Sequence, residues 1–577
     1  MRFHGYALIG AGVIFFLAAN RHAKAQSLPA GTPDLTSYIL TSAAKPAPRL
    51  TGPKVYGQRP GHPFLFTLTA TGDRPMSFAA QGLPEGLSLD AATGQITGNA
   101  AKAGMSQVRV TAKNAAGTAT RDIKIVIGDQ IALTPPMGWN SWNSWAGNVS
   151  QDKVLQSARV MVDTGLINHG WTYINIDDTW QGKRTGPDHA LMANGKFPDL
   201  KGLCDQLHHM GLKAGIYSTP WITSYASYPG GSSDSPDGAW DKAIHGNTAF
   251  QHVGAYHFAV ADAKQYAAWG FDYLKYDWNI DPANMKEMSD ALRNSGRDIV
   301  YSLSNTAPLN QAAVWAKSSN AWRTTGDIVD LWGRAPSGWQ HGMAEIGFTQ
   351  DRWARFSGPG HWNDPDMLVV GTVSLAQAMH RTRLTPDEQY THISLWCLLN
   401  APLLIGCDMQ RLDPFTCSLL SNDEVLDINQ DSLGKQAVRV AGPAFVPPAP
   451  AGGRGRRRGT TPATDASASA PASNPGRNGL VYSDRSRQAA PFPPASNPGG
   501  NGLVYARPLE DGSLAMGLFN VGPAEEKVVA TWKDAGLEGK QTVRDLWRQK
   551  DLGVFDTEFS ATVPPHGVVL LKLSKAP

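Results

Sequence analysis

Lys275 and Asp277 sit two residues apart in the run Phe271-Asp272-Tyr273-Leu274-Lys275-Tyr276-Asp277. It reads as a buried parallel strand, entered from Gly270 and left through the turn-prone residues 279–282. A strand's period of two sends both side chains, with Tyr273, out of one face, so a cation lies beside a carboxylate at a strand end. Such a pair is either a solvated surface ion pair or a carboxylate held ionised for chemistry. Other short apolar runs end in the same manner. Asp177-Asp178 follows 173–176, Tyr217 closes 212–217, Arg323 and Asp327 follow 321–322, and Asp364 and Asp366 follow 361–363.

Carboxylates without histidine partners suit acid, base and nucleophile roles better than metal-assisted hydrolysis. A calcium or magnesium ion held by Asp177, Asp178, Asp364 and Asp366 is the alternative. Cleaving a glycosidic bond needs two carboxyl groups, one near the anomeric carbon and one at the leaving oxygen. Asp277 suits the nucleophile, with Lys275 keeping it ionised. Asp327 suits the acid: Thr324-Thr325-Gly326 is a flexible loop that lets it reach over a sugar, where partial desolvation would raise its pKa, and Arg323 offers a fork of donors to position it. Asp330 ranks second for the same role.

These residues meet only if their strands are neighbours. Between Pro135 and Gln430, eight short apolar runs, near 137–140, 173–176, 212–217, 273–276, 299–303, 321–323, 361–363 and 402–405, alternate with helical stretches such as 152–165 and 284–294. Eight βα repeats in about 300 residues predict a (β/α)8 TIM barrel, whose active site forms at the carboxyl ends of the strands. A doubly wound sheet is the alternative, but no glycine-rich phosphate loop follows the first strand.

The 577 residues predict several domains around this barrel, which is placed at 132–433. Residues 50–128 hold short β-type runs between turns and predict an Ig-like β-sandwich, a spacer or alternatively a carbohydrate-binding module. Residues 434–577 return to alternating runs and predict a C-terminal antiparallel β-sandwich. Its sequence is interrupted at 446–500 by Pro, Ala, Ser and Gly, with the basic run Arg454-Gly455-Arg456-Arg457-Arg458, and this insert is expected to be a disordered, solvated loop. Residues 472–482 recur almost unchanged at 495–505. The second copy runs into Ala506-Arg507-Pro508-Leu509 and is expected to supply a folded strand.

At the amino end, Arg2, an apolar run over 6–19 and Ala23-Lys24-Ala25 read as an export signal, 1–25, cleaved after Ala25. The run is too short to span a bilayer, so a secreted or periplasmic protein without a membrane span is expected. A net charge of +3 gives no footprint for nucleic acid. Cys204, Cys397, Cys407 and Cys417 match no metal motif and leave room for one disulfide. Oligomeric state is not legible.

The motifs together resemble a known family. Met137-Gly138-Trp139-Asn140-Ser141-Trp142, Ile176-Asp177-Asp178-Thr179-Trp180, Tyr273-Leu274-Lys275-Tyr276-Asp277, Trp322-Arg323-Thr324-Thr325-Gly326-Asp327 and Gly360-His361-Trp362-Asn363-Asp364-Pro365-Asp366-Met367 are similar, in order, to the α-galactosidases of glycoside hydrolase family 27. The resemblance implies a retaining hydrolase that needs no cofactor and no metal, and acts on terminal α-galactose of oligo- or polysaccharides. It implies Asp277 as nucleophile and Asp327 as acid/base. Asp177 and Asp178 would bind the O4 and O6 side of galactose, Lys275 and Arg323 other hydroxyls. Trp142 would stack on the ring, and Tyr217, Asp366 and Met367 would line the pocket.

Two departures bear on the substrate. The family's cysteine after the nucleophile is replaced around Trp278-Asn279. Where α-galactosidases often place Glu-Trp after the fifth strand, this chain has Ser304 and Asn305, reminiscent of the family's α-N-acetylgalactosaminidases, which make room for an acetamido group. Asp177 speaks for a sugar with a C6 hydroxyl over a β-L-arabinopyranoside. The segment 219–261, rich in Tyr, Trp, Gly and Ser, is expected to form a loop over the pocket. A non-catalytic carbohydrate-binding protein is the reading from a different class.

Overall fold

The computed structural model describes residues 34–277, 281–304, 307–335, 339–446 and 500–577. The export signal, most of the insert with the first copy of the repeat, Trp278-Asn279 and Asn305 lie outside the described residues.

The central unit is an eight-stranded parallel sheet curled on itself. Its strands are β1 (Met137–Asn140), β2 (Tyr173–Asn175), β3 (Lys213–Ser218), β4 (Tyr273–Asp277), β5 (Val300–Ser304), β6 (Ala321–Arg323), β7 (Trp362–Asp364) and β8 (Leu403–Ile405). They hydrogen-bond in chain order from β1 to β7, with β8 on the far side of β1. The last seam closes just past β7, where the Leu368 amide donates to Leu404 O (2.8 Å) and Gly406 N donates to Leu368 O (3.0 Å). All eight strands lie where the sequence pattern places them, within a residue or two at their ends.

Alternation in β4 explains the barrel's two layers. Leu274 and Tyr276 point outward and pack with Ala263 and Tyr266 of α3 (Ala259–Trp269) and Met285 and Met288 of α4 (Pro282–Arg293), which follow α1 (Gln151–Asp163) and α2 (Leu200–His209) in the helical ring. Tyr273 points inward, into a plug with Ile131, Val300, Met367 and Leu404. Lys275 and Asp277 share that inward face one and two steps closer to the carboxyl rim. A further helix, α5 (Pro386–Leu398), begins with a capping box in which Thr385 and Glu388 satisfy each other's backbone amides, with Pro386 in the first turn. Its buried faces join the barrel to the C-terminal domain, and its Trp396 indole donates to Asp366 O at 2.7 Å.

The N-terminal sandwich pairs its strands antiparallel except at Val55–Gln58, which runs parallel to Gly117–Ile127. It packs on the amino-terminal face of the barrel. Arg59 donates from its backbone (2.8 Å) and its guanidinium (3.0 Å) to Asp298, His62 approaches the same carboxylate at 2.9 Å, and Thr67 Oγ1 donates to Gly211 O at 3.0 Å. Lys213 donates to the Tyr56 hydroxyl. The C-terminal domain is a six-stranded sheet facing a two-stranded one. There Val438–Ala441 and Gly502–Pro508 pair antiparallel, with Ala441 opposite Val504, so the second copy of the repeat does supply a strand. All four cysteines are free thiols. Among the described residues no helix is long and apolar enough to cross a membrane.

Candidate active site

A cavity of about 280 Å³ opens at the carboxyl rim of the barrel. Eleven residues singled out in the sequence line it: Trp142, Asp177, Asp178, Tyr217, Lys275, Asp277, Ser304, Arg323, Asp327, Asp366 and Met367. Each stands at or just past a strand end, which is how residues as far apart in the chain as Trp142 and Met367 come to share one space.

The floor of the site is buried and ordered. Asp178 is 1% exposed, and its carboxylate accepts from Thr179 N (2.6 Å), Gln181 Nε2 (2.8 Å), Ser224 Oγ (2.8 Å) and Ala226 N (2.8 Å). Burial nonetheless pushes its pKa up. Asp177 is held by Lys275 Nζ at 2.7 Å. Burial alone would lower the Lys275 pKa, but Asp177 and then Asp277 more than offset it and keep the ammonium charged. Lys275 therefore leans to Asp177, not to its strand neighbour Asp277, the pairing that spacing alone suggests.

Asp277 finds a different donor. The Tyr217 hydroxyl donates to Asp277 Oδ2 at 2.9 Å, and burial raises the Tyr217 pKa well above its usual value, so that proton stays on the phenol. Burial also pushes the Asp277 carboxyl up to about 7, against the pull of Lys275 and with the help of Asp177 and Asp327. So Lys275 does not hold Asp277 in the usual carboxylate range: desolvation outweighs it.

Asp327 is the outer carboxylate, 42% exposed, with Arg323 Nη2 at 3.2 Å. Arg323 also meets Asp366 at 2.8 Å and donates to Gly326 O at 2.7 Å. Asp366 and Asp327 hold the guanidinium charged in spite of burial. Asp366 sits at φ 81° and Thr179 at φ 85°, left-handed conformations that cost a non-glycine residue on the order of 1–3 kcal/mol. Asp366 is fixed there by Arg323 and by the Ile328 and Met367 amides at 2.8 and 2.7 Å. Asp364 accepts from Asp366 N at 2.8 Å, and burial raises its pKa to about 6.

Asp330 does not line the cavity. Its carboxylate, fully buried, accepts from Arg383 N (2.8 Å) and Nε (3.0 Å) and lies 3.1 Å from His380 Nε2, which ties it into structure instead of the proton-transfer role ranked second above. The four carboxylates named for a cation are engaged by Lys275, Arg323 and backbone amides. Among the described residues no three His, Cys, Asp or Glu side chains gather as a metal site.

The segment 219–261 reaches the pocket with Tyr225, and clamps Asp178 through Ser224 and Ala226. Tyr225, Asn143, Trp339 and Gln340 line the cavity without a sequence signal; only the aromatic richness of 219–261 pointed to the first. Asn143 Nδ2, Arg323 Nε and Thr325 Oγ1 are buried without a hydrogen-bond partner among the described residues, donors and acceptors that sugar hydroxyls would satisfy.

A parallel barrel carrying two accessible carboxylates, a fixed cation pair and an aromatic wall over one small cavity has the make-up of a glycoside hydrolase. The family model for alpha galactosidase A matches residues 134–241 and 237–431, its C-terminal beta sandwich model 499–573, and an Ig-domain model 47–128. The chain is 32% identical to α-galactosidase 2 of Arabidopsis thaliana over 464 residues, 78% of this chain and 92% of that one. A crystal structure from Bacteroides fragilis superposes with a TM-score of 0.74 at 30% identity, covering 93% of this chain and all of its own. The β-L-arabinopyranosidase of Geobacillus stearothermophilus superposes at 0.57 with 26% identity, over 77% of this chain and 97% of that one. The chain belongs to glycoside hydrolase family 27, the α-galactosidase (melibiase) family.

Proposed function

We propose that the protein is a retaining exo-α-galactosidase that removes terminal non-reducing α-D-galactosyl residues from oligo- or polysaccharides. One observation carries the reading: Asp277 from β4 and Asp327 from the loop after β6 face a single sugar-sized cavity with opposite surroundings, one carboxyl half-buried beside a phenol, the other exposed beside a guanidinium. Asp277, once ionised, attacks the anomeric carbon, and Asp327 gives its proton to the departing oxygen. The sugar is then bound through carbon to Asp277 Oδ. Asp327, now a carboxylate, takes a proton from water as that water displaces Asp277, and the anomeric configuration is restored. Lys275, Asp177 and Asp178 orient hydroxyls at the buried end of the ring, Arg323 and Asp366 those at the other side, and Trp142 and Met367 pack on its apolar surface.

The test is hydrolysis of aryl α-galactoside, α-N-acetylgalactosaminide and β-L-arabinopyranoside in parallel, with the first-formed anomer followed by NMR. Retention and preference for the galactoside are expected; an inverted first product sinks the covalent mechanism. A second reading, α-N-acetylgalactosaminidase, is favoured by the small Ser304 at the pocket wall, which leaves room beside a 2-substituent. Preference for the acetamido sugar would install it. We further propose export by the 1–25 signal; N-terminal sequencing of the mature protein should begin at Gln26.

A further inference from the structure

Among the described residues, two of the few large apolar side chains left exposed stand together at the mouth of this cavity: Tyr225, 46% exposed, and Trp339, 40%. They come from separate parts of the chain, the connection from β3 to α3 and the connection from β6 to β7. Their ring centroids are 6.5 Å apart, at an interplanar angle of 40°. Aromatic surface is costly to leave in water, and an exposed pair beside a cavity marks a surface meant to be covered.

Position identifies what covers it. Asp177 and Asp178 are 2% and 1% exposed and define the closed end, whereas Asp327 is 42% exposed and defines the open one. Tyr225 and Trp339 line the same cavity as Asp277 and Asp327, which places both rings beside the reacting carboxylates. The leaving group must lie beside the acid, hence on the side of Tyr225 and Trp339.

We propose that Tyr225 and Trp339 form an aglycone subsite that stacks the leaving pyranose of a di- or oligosaccharide. A pyranose carries C–H bonds on one face, and their weakly positive hydrogens complement the negative face of an aromatic ring. The subsite rests on the α-galactosidase reading and adds to it a preference for leaving groups with a sugar ring.

The experiment compares wild type with Trp339→Ala and the Tyr225→Ala/Trp339→Ala double variant on two substrates, α-galactosyl fluoride, whose leaving group has no ring, and α-1,6-galactosyl-glucose. The double variant should lose about tenfold in kcat/KM on the disaccharide, mainly through KM, and stay within about twofold of wild type on the fluoride. Trp339→Phe should retain most of the disaccharide activity. Equal losses on both substrates, or an unchanged disaccharide, overturn the subsite. A wild type that cleaves neither substrate overturns the function on which it rests.

Discussion

Strand β4 is preceded by one aspartate, Asp272, and ends on another, Asp277, and the two have opposite fates. Asp272 enters the strand on the face covered by the N-terminal sandwich, where His208 lies 2.8 Å and Arg297 2.6 Å from its carboxylate. Burial works to raise its pKa, yet Arg297 and His208 prevail and take it far below the usual carboxylate range. Asp277 leaves the strand on the open face, where burial again works to raise its pKa, but its nearest donor is a neutral phenol and its nearest lysine is engaged by Asp177. It ends near 7. Five residues apart, one carboxylate is saturated by cations and serves cohesion, while the other is left short of them and stays reactive. Charge density alone therefore does not mark the functional end of the barrel; incomplete compensation does.

The contrast is broken most strongly by truncating the reactive side. Asp277→Ala should cut turnover by about 10⁴-fold or more, read as kcat on an aryl α-galactoside, with the circular dichroism spectrum unchanged. On the cohesive side, Asp272→Ala leaves Arg297 and His208 uncompensated and should cost about 3–5 kcal/mol in denaturant unfolding, while the folded fraction keeps its KM. A smaller effect should appear in the pH profile. Because Asp277 acts only when ionised and Asp327 only while it holds its proton, kcat/KM of the free enzyme should be bell-shaped in pH, with its ascending limb centred near 7. Asp277→Asn should, in turn, stabilise. The folded chain holds the Asp277 proton more tightly than the unfolded chain, so the carboxyl costs stability as pH rises from its ordinary 3.8 through about 7. The variant should melt roughly 2 °C above wild type at pH 8, and the gain should vanish by pH 4.

Much of this is legible in the sequence. The eight strands announce themselves as apolar runs closed by polar residues, and a parallel barrel must bring such ends to one rim, so Asp177 and Asp327 could be placed together across 150 residues. What the pattern could not carry is reach. A spacing of two puts Lys275 and Asp277 on one face, but only the register of β2 against β3 and β4 shows that the ammonium extends to Asp177. Asp330 looked like a second acid because its partner Arg383 lies far along the chain, and nothing local betrays a buried carboxylate. Ser224, Tyr225 and Trp339 belong to long connections without periodicity, where position follows from packing, not from sequence rhythm. The parallel pairing of Val55–Gln58 is hidden for another reason: hydrophobic alternation is identical for either strand direction.

The hairpin formed by Val438–Ala441 and Gly502–Pro508 has a consequence for engineering. Because these strands are antiparallel neighbours, with Ala441 opposite Val504, the sandwich itself fixes the separation between the two ends of whatever joins them. The entropy of closing a flexible loop grows only with the logarithm of its length, about 0.6 kcal/mol for each doubling. The junction is therefore a natural grafting point. Shortening it to a tight turn, or splicing in a reporter or binding module, should leave stability nearly unchanged, and among the described residues the sugar pocket is lined by the barrel and its connections alone.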